Sequence, residues 1–190
     1  MIKPASPIQE PDKDRNSAIE VKDKYKLSLE TQKFILQMCW AQHDSQYFLK
    51  AKKEFGIEAA NQLNQKVIFS MGKIEARHVL TGLNIQPGSI KSIPQIFKVM
   101  NTLMDLITPN VMKFRFLVQS ETEGFGIVEK CFFWSMVQKS KAESEYTCAC
   151  NFRHRGWLAA MGIQGEIIPL KLLSKGDRMC QFKFILNSPK

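Results

Sequence analysis

The sequence predicts an α+β protein with an antiparallel sheet, and three observations carry that expectation. Apolar residues recur at helical spacing from Ser28 to Ile107, and after Pro109 the period falls to two. The strand-like stretches then come as two pairs with a short helix between them. The expected architecture is an N-terminal helical layer of about three helices packed on the sheet, in hairpin–helix–hairpin order. The strict strand–helix alternation of a parallel sheet is absent.

Residues 1–26 hold Pro4, Pro7 and Pro11 among alternating charges and few apolar side chains. Such a segment cannot bury enough surface to offset its chain entropy, so a flexible arm is expected. Residues 27–190 read as a single domain, long enough to bury a sizeable core. Ser28 suits a helix N-cap, with Phe34, Met38, Ala41, Phe48 and Phe55 as the apolar stripe that follows. Gly56 offers a stop, and Ala60, Leu63, Val67, Met71 and Ile74 mark a second helix ending near Gly82. So short a turn predicts an antiparallel helical hairpin. A third, methionine-rich helix is expected from about Ser92 to Ile107, with Pro94 in its first turn and Pro109 beyond its end.

In "VMKFRFLVQS" the residues Met112, Phe114, Phe116 and Val118 share one strand face. "SETEGFG" reads as a turn, and "IVEKCFFWSMVQK" as an interior strand apolar on both faces. A charged loop leads to a short helix in "YTCACNFRHRGWLAAMG", and the strands "GEIIPLKLL" and "RMCQFKFIL" flank the turn "SKGD".

The net charge of +9 is spread over scattered lysines, its tightest knot being Arg153-His154-Arg155. No basic stripe with interleaved aromatics and no DNA-binding spacing accompanies it, so a nucleic-acid partner is not expected. No apolar run approaches bilayer length and no secretory leader is evident, which makes a cytoplasmic protein without membrane contact the expectation. The five cysteines are odd in number and irregular in spacing, as for reduced buried thiols. On a helix Cys148 and Cys150 would stand about 200° apart and could not meet unless the helix unwinds there.

"WAQHDSQYFL" places His43 and Asp44 one helical turn from Trp40, Tyr47 and Phe48. Folding the hairpin at Gly56 brings their level near Ile68 to Met71, with Glu75 and His78 about a turn beyond. A carboxylate that fixes an imidazole's tautomer is the arrangement of a general base, and the four residues together suggest a divalent-metal set. Pair spacing without a complete ligand set favours solvated or hydrogen-bonded residues instead, so no metal and no cofactor are expected. Methionines and phenylalanines between helices and sheet suit an adaptable apolar pocket. Arg153 and Arg155 could receive an anionic group of a ligand, although a solvated helix face is the simpler reading.

"TCACNFRHRGWLAAMG" followed by "KGDRMCQFKFIL" resembles the ligand-binding domain of the 4-vinyl-reductase type, with Gly156, Gly176, Cys180 and Phe182 at matching places. Upstream, "WAQHDSQYFLKAKKEFGIEAANQLN" is similar to an uncharacterised prokaryotic family related to L-2-amino-thiazoline-4-carboxylate hydrolase-like proteins. The two resemblances span most of residues 28 to 187. They imply the fold of transport-particle ligand-binding domains, often dimeric through its helices. Sensor members of the vinyl-reductase type hold zinc with an early Cys, a Glu-x-x-Cys pair and a last Cys. Cys148 or Cys150 matches the first and Cys180 the last, but the middle pair falls on Pro169 and Leu172. No zinc is expected.

The leading functional expectation is a homodimeric, non-enzymatic protein holding a small apolar or aromatic molecule between helices and sheet. Met100, Met104, Phe114, Phe116, Phe132, Trp134 and Trp157 would form the walls, with Trp40 and Tyr47 nearby and His43, Asp44 and Glu75 at the polar end. The alternative is a hydrolase or reductase in which His43, oriented by Asp44 or Glu75, acts as general base, with Cys150 as the other nucleophile to test. A third reading, a DNA-linked regulator, would rest on the basic arm.

Overall fold

Gly56 sets the topology of the helical layer. In the computed structural model, which describes residues 25–187, helix α1 (Leu29–Gly82) is interrupted at this residue, whose φ of 81° and ψ of 168° suit a residue without a Cβ. The limb 57–82 folds back along the limb 29–55. Phe48, Ala51 and Ala60 pack together at the bend. Asp44 and Glu75, which a straight helix would hold roughly 45 Å apart at 1.5 Å per residue, both approach the guanidinium of Arg153. The expected hairpin is therefore present, and the Ser28 hydroxyl caps it by accepting from the Thr31 amide at 3.1 Å.

Helix α2 (Ile93–Ile107) carries its stripe of Ile93, Ile96, Phe97, Met100, Leu103 and Met104 into the core at three- and four-residue spacing. Its last carbonyls, which no intrahelical donor reaches, are covered from outside. The buried Gln37 amide donates to the carbonyl oxygens of Asp105, Leu106 and Thr108 at 3.2, 3.0 and 2.8 Å. That one side chain ties the first limb of α1 to the end of α2.

Strands β1 (Lys113–Val118), β2 (Glu123–Lys130), β3 (Gly165–Lys171) and β4 (Cys180–Leu186) form one antiparallel sheet in the order β1-β2-β4-β3. Phe116 pairs with Gly126, which pairs in turn with Phe182. Phe97 of α2 stacks on Phe116 at 4.8 Å between centroids and meets Phe184 edge-on at 5.3 Å. The helix can lie this close because β2 has no side chain at Gly124. A Cβ there would stand 2.6 Å from the Phe97 ring and 2.8 Å from Ile93.

Three boundaries differ from the sequence expectation, the third at the start of the last α-helix. The glycines of "EGFG" belong to strand β2, where they admit aromatic neighbours, and do not form a turn. The run "FFWSMVQK" is helix α3 (Phe132–Lys139), not the continuation of a strand. The Cys131 sulfur accepts from the Trp134 amide at 3.4 Å, which stops the strand and starts the helix. A short run that is apolar on every face has no period, so nothing in it distinguishes buried strand from helix.

Helix α4 (Cys150–Met161) begins four residues later than expected and ends at Gly162, whose φ is 73°. It crosses the second limb of α1 almost backbone to backbone. A Cβ on Gly72 would lie 2.5 Å from the Arg153 carbonyl oxygen, and one on Gly156 would strike that of Phe69. Trp157, Phe182, Phe184 and Met161 then fill the space between α4 and the sheet.

A candidate ligand cavity around Arg153

The α1 hairpin, α3 and α4 do not close on one another, and about 290 Å³ stays open between them. Phe48, Leu49 and Ile68 of α1, Phe133, Met136 and Val137 of α3, and Ala142, Tyr146, Ala149 and Cys150 make its largely apolar wall. The loop before α4 is held in place by Asn61. Its amide nitrogen donates to the Glu145 carbonyl at 2.8 Å, and its oxygen accepts from the Thr147 amide at 2.9 Å. Lys52 adds an ion pair to Glu145. A smaller void of about 40 Å³ lies deeper, between α2, α4 and the sheet. Phe133, Cys150 and Arg153 line both spaces and mark where they adjoin.

Arg153 is the buried charge at that junction, its side chain 9% exposed. Its Nη2 stands 3.6 Å from Asp44 Oδ2 and 3.6 Å from Glu75 Oε1, contacts too long for hydrogen bonds. Its guanidinium carbon lies 5.4 Å from the centre of the Phe133 ring. Glu75 spends its other oxygen on the indole N–H of Trp157 at 2.8 Å. Arg153 Nε and Nη2, Asp44 Oδ2 and Glu75 Oε1 have no hydrogen-bond partner within the protein. Burial raises the Asp44 carboxyl above its ordinary range, and the attraction of Arg153 and His43 opposes that rise.

His154 is buried beside Arg153, its ring 5.1 Å from that of Trp157, 5.0 Å from Phe182 and 5.8 Å from Phe184. Burial first, and the neighbouring Arg153 second, lower its pKa to about 3, so the imidazole is neutral at ordinary pH. Cys131, Cys148, Cys150 and Cys180 all line the smaller void. Because α4 starts only at Cys150, Cys148 lies outside the helix, and the spacing that a regular helix would impose on the two thiols does not apply. The neighbouring Cys150 lowers the Cys148 pKa to about 7, and Cys148 beside it, with burial, raises that of Cys150. Burial pushes Cys131 up to about 12 and raises Cys180 as well.

Asp44 and Glu75 thus converge, but on Arg153 and not on a histidine. The His43 side chain is 79% exposed, 4.0 Å from Asp44, and outside the cavity wall. His78 is exposed too, and among the described residues no three His, Cys, Asp or Glu side chains form a metal-ligand set. Trp40 and Tyr47 lie on the outer face of α1, exposed with Leu29 and Leu36. Met104 and Trp157 line the smaller void. Met100 and Phe132 are buried, while Phe114, Phe116 and Trp134 are half-buried. The helix–sheet interface expected to hold the pocket contains the smaller void beside a packed cluster of Phe97, Phe116 and Phe184, and the larger space lies among the helices. Sequence reasoning counted Met136 among the methionines suited to an apolar pocket but passed over Phe133 and Val137, because it read α3 as a strand with Phe132 and Trp134 on its inner face.

No family model matches this sequence, and no curated protein matches it. The fold does have solved counterparts. One is the crystal structure of a trafficking protein particle complex subunit 3 from Naegleria fowleri, described as covalently bound to palmitic acid. It matches with a TM-score of 0.56 at 13% identity, over 84% of this chain and 97% of that one. The likeness is one of fold. It agrees with the transport-particle architecture that the sequence resemblance implied. No helix among the described residues is long and apolar enough to cross a membrane. The arm proposed as a DNA-reading element falls almost wholly on residues 1–24, outside the described residues.

Proposed function

We propose that this chain binds a small molecule with an elongated apolar body in the cavity between α1, α3 and α4. The observation that carries the reading is the cavity itself: about 290 Å³, walled by aliphatic and aromatic side chains from three helices, with one buried arginine at its inner end. A concave apolar space with few polar groups is the usual form of a small-molecule site. That a protein of like fold is described as carrying palmitic acid supports an aliphatic chain as the ligand class. The vinyl-reductase resemblance of residues 147–186 points to a ligand-holding role as well.

Binding is favoured over catalysis because the histidine that a hydrolase or reductase would need stands exposed, away from the cavity. A second copy of the chain is the partner this reading includes. Leu29, Leu36, Trp40 and Tyr47 fall along one line of the first limb of α1 and are exposed, and an apolar stripe of that kind suits a self-complementary contact.

Native mass spectrometry, read against the denatured mass, tests all of this at once. The expected result is a dimer carrying an organic mass, and a Val137→Trp variant that folds but loses that mass. A bare wild-type protein that also takes up no fluorescent fatty-acyl probe would overturn the reading.

A further inference from the structure

Four of the five cysteines gather at one place. Cys131 just past β2, Cys148 and Cys150 at the start of α4, and Cys180 at the start of β4 all line the smaller void. Two of these sulfurs are engaged by backbone amides. Cys131 accepts from Trp134 at 3.4 Å and Cys180 from Leu173 at 3.3 Å, and burial keeps both as thiols. The other two are placed differently. Cys148 and Cys150 are half-buried, and only Ala149 separates them. Its φ of −99° and ψ of 3° turn the chain there, so the two Cα atoms stand roughly 5.5 Å apart, inside the span that a disulfide bridges. Among the described residues no side chain caps the first amides of α4, and the positive end of that helix lies beside Cys148.

We propose that Cys148 and Cys150 form a reversible dithiol–disulfide site, with Cys148 as the attacking sulfur, Cys150 as the resolving one and a low-molecular-weight disulfide such as oxidised glutathione as the oxidant. The Cys148 thiolate attacks one sulfur of the oxidant, the S–S bond of the oxidant breaks, and a glutathione thiolate leaves. Cys150 then gives up its proton, and its sulfur displaces the second glutathione thiolate from Cys148. Two protein thiols are oxidised, one glutathione disulfide is reduced, and the two protons lost by the protein end on the two glutathiones released. The first step requires a thiolate near neutrality, and the Cys148 pKa of about 7 supplies it. Cys150, raised by Cys148 beside it and by burial, becomes the nucleophile once Cys148 is bound in the mixed disulfide and no longer holds it back. Closure joins residues two apart, so no element of the fold has to move. The site is independent of what fills the larger cavity.

The test is oxidation of the reduced full-length protein by oxidised glutathione at neutral pH, followed by alkylation and tryptic mass mapping. Trypsin leaves Cys148 and Cys150 together on the peptide 142–153 and puts Cys39, Cys131 and Cys180 on separate peptides. The peptide 142–153 should lose two hydrogens and take no alkyl group, and dithiothreitol should reverse both. Cys150→Ser should stop at a mixed disulfide on Cys148. Cys148→Ser should slow the modification of Cys150 roughly ten-fold or more; far-UV circular dichroism checks that both variants fold. A peptide 142–153 that keeps both thiols while the exposed Cys39 takes up glutathione overturns the proposal, as does a disulfide from either residue to Cys131 or Cys180. Undiminished reaction of Cys150 in Cys148→Ser overturns the assignment of Cys148 as the attacking sulfur.

Discussion

Helix α4 meets the hairpin α1 in two ways within a few turns. At Gly72 and Gly156 the helices touch through their backbones, with no room for a methyl group. One turn away, around Arg153, Ile68 and Asp44, the same elements part and enclose the cavity. The contrast shows how one interface can fix a frame and leave a space. The glycine seam sets the interhelical distance, and α3 wedged against the hairpin keeps the far side from closing.

The seam offers the largest effect. Gly156→Ala places a methyl group against the Phe69 carbonyl, which is backbone and cannot swing aside. The expected loss is about 3 kcal/mol or more, in the upper range for overpacked sites, read from the urea midpoint. An unchanged midpoint would show that the helices slide easily, and the contrast between seam and cavity would dissolve.

Next in size is the acid sensitivity that His154 builds into the frame. Its folded pKa of about 3 lies below the ordinary 6.5, so the folded state excludes a proton that the unfolded chain takes up. The stability it contributes is present above about pH 6.5 and declines as pH falls toward 3, by about 1.4 kcal/mol per pH unit in mid-window. Asp44 works in the opposite sense: its raised pKa favours the folded state at low pH and loses that benefit as pH rises through the folded value. Denaturation midpoints measured at a series of pH values should therefore fall with increasing slope below pH 6.5 in wild type. His154→Phe, which keeps an aromatic ring among Trp157, Phe182 and Phe184, should flatten that dependence.

The two regions also differ in how far the sequence disclosed them. The hairpin was legible because Gly56 interrupts a long helical period, and the sheet because the period changes after Pro109. The cavity was not, for two physical reasons. Helix α3 is short and apolar on every face, so its three wall residues carried no periodic signature. Arg153 and Arg155 read as one solvated charge cluster, whereas the helical twist buries the first and exposes the second. Asp44 and Glu75 were found through hairpin geometry, but the partner that unites them sits on a different helix. A buried arginine one turn before a glycine that a neighbouring helix needs is a signal a reader could have weighed.

On the open side, substitutions should cost less. Asn61→Ala removes two hydrogen bonds that hold residues 145–147 against α1. Because these bonds are exposed, the expected cost is about 1 kcal/mol. Ligand release should quicken more than stability falls, since this loop forms part of the cavity wall. Stopped-flow displacement of a bound fluorescent chain separates the two quantities, and a stability loss with unchanged release would place the loop outside the entry path.

The smallest effect is expected at the residue that first suggested chemistry. His43 is exposed, makes only a 4.0 Å contact with Asp44, and lines neither void. An exposed side chain in such a weak pairing should change stability by no more than about 0.5 kcal/mol when removed. His43→Ala should also leave the affinity for an aliphatic probe unaltered, because the exposed imidazole touches neither void. A fall in the turnover of any substrate, with affinity kept, would be the signature of a general base. It would mean that the hairpin's outer face is the working one, and that the space around Arg153 serves a different purpose from the one its walls suggest.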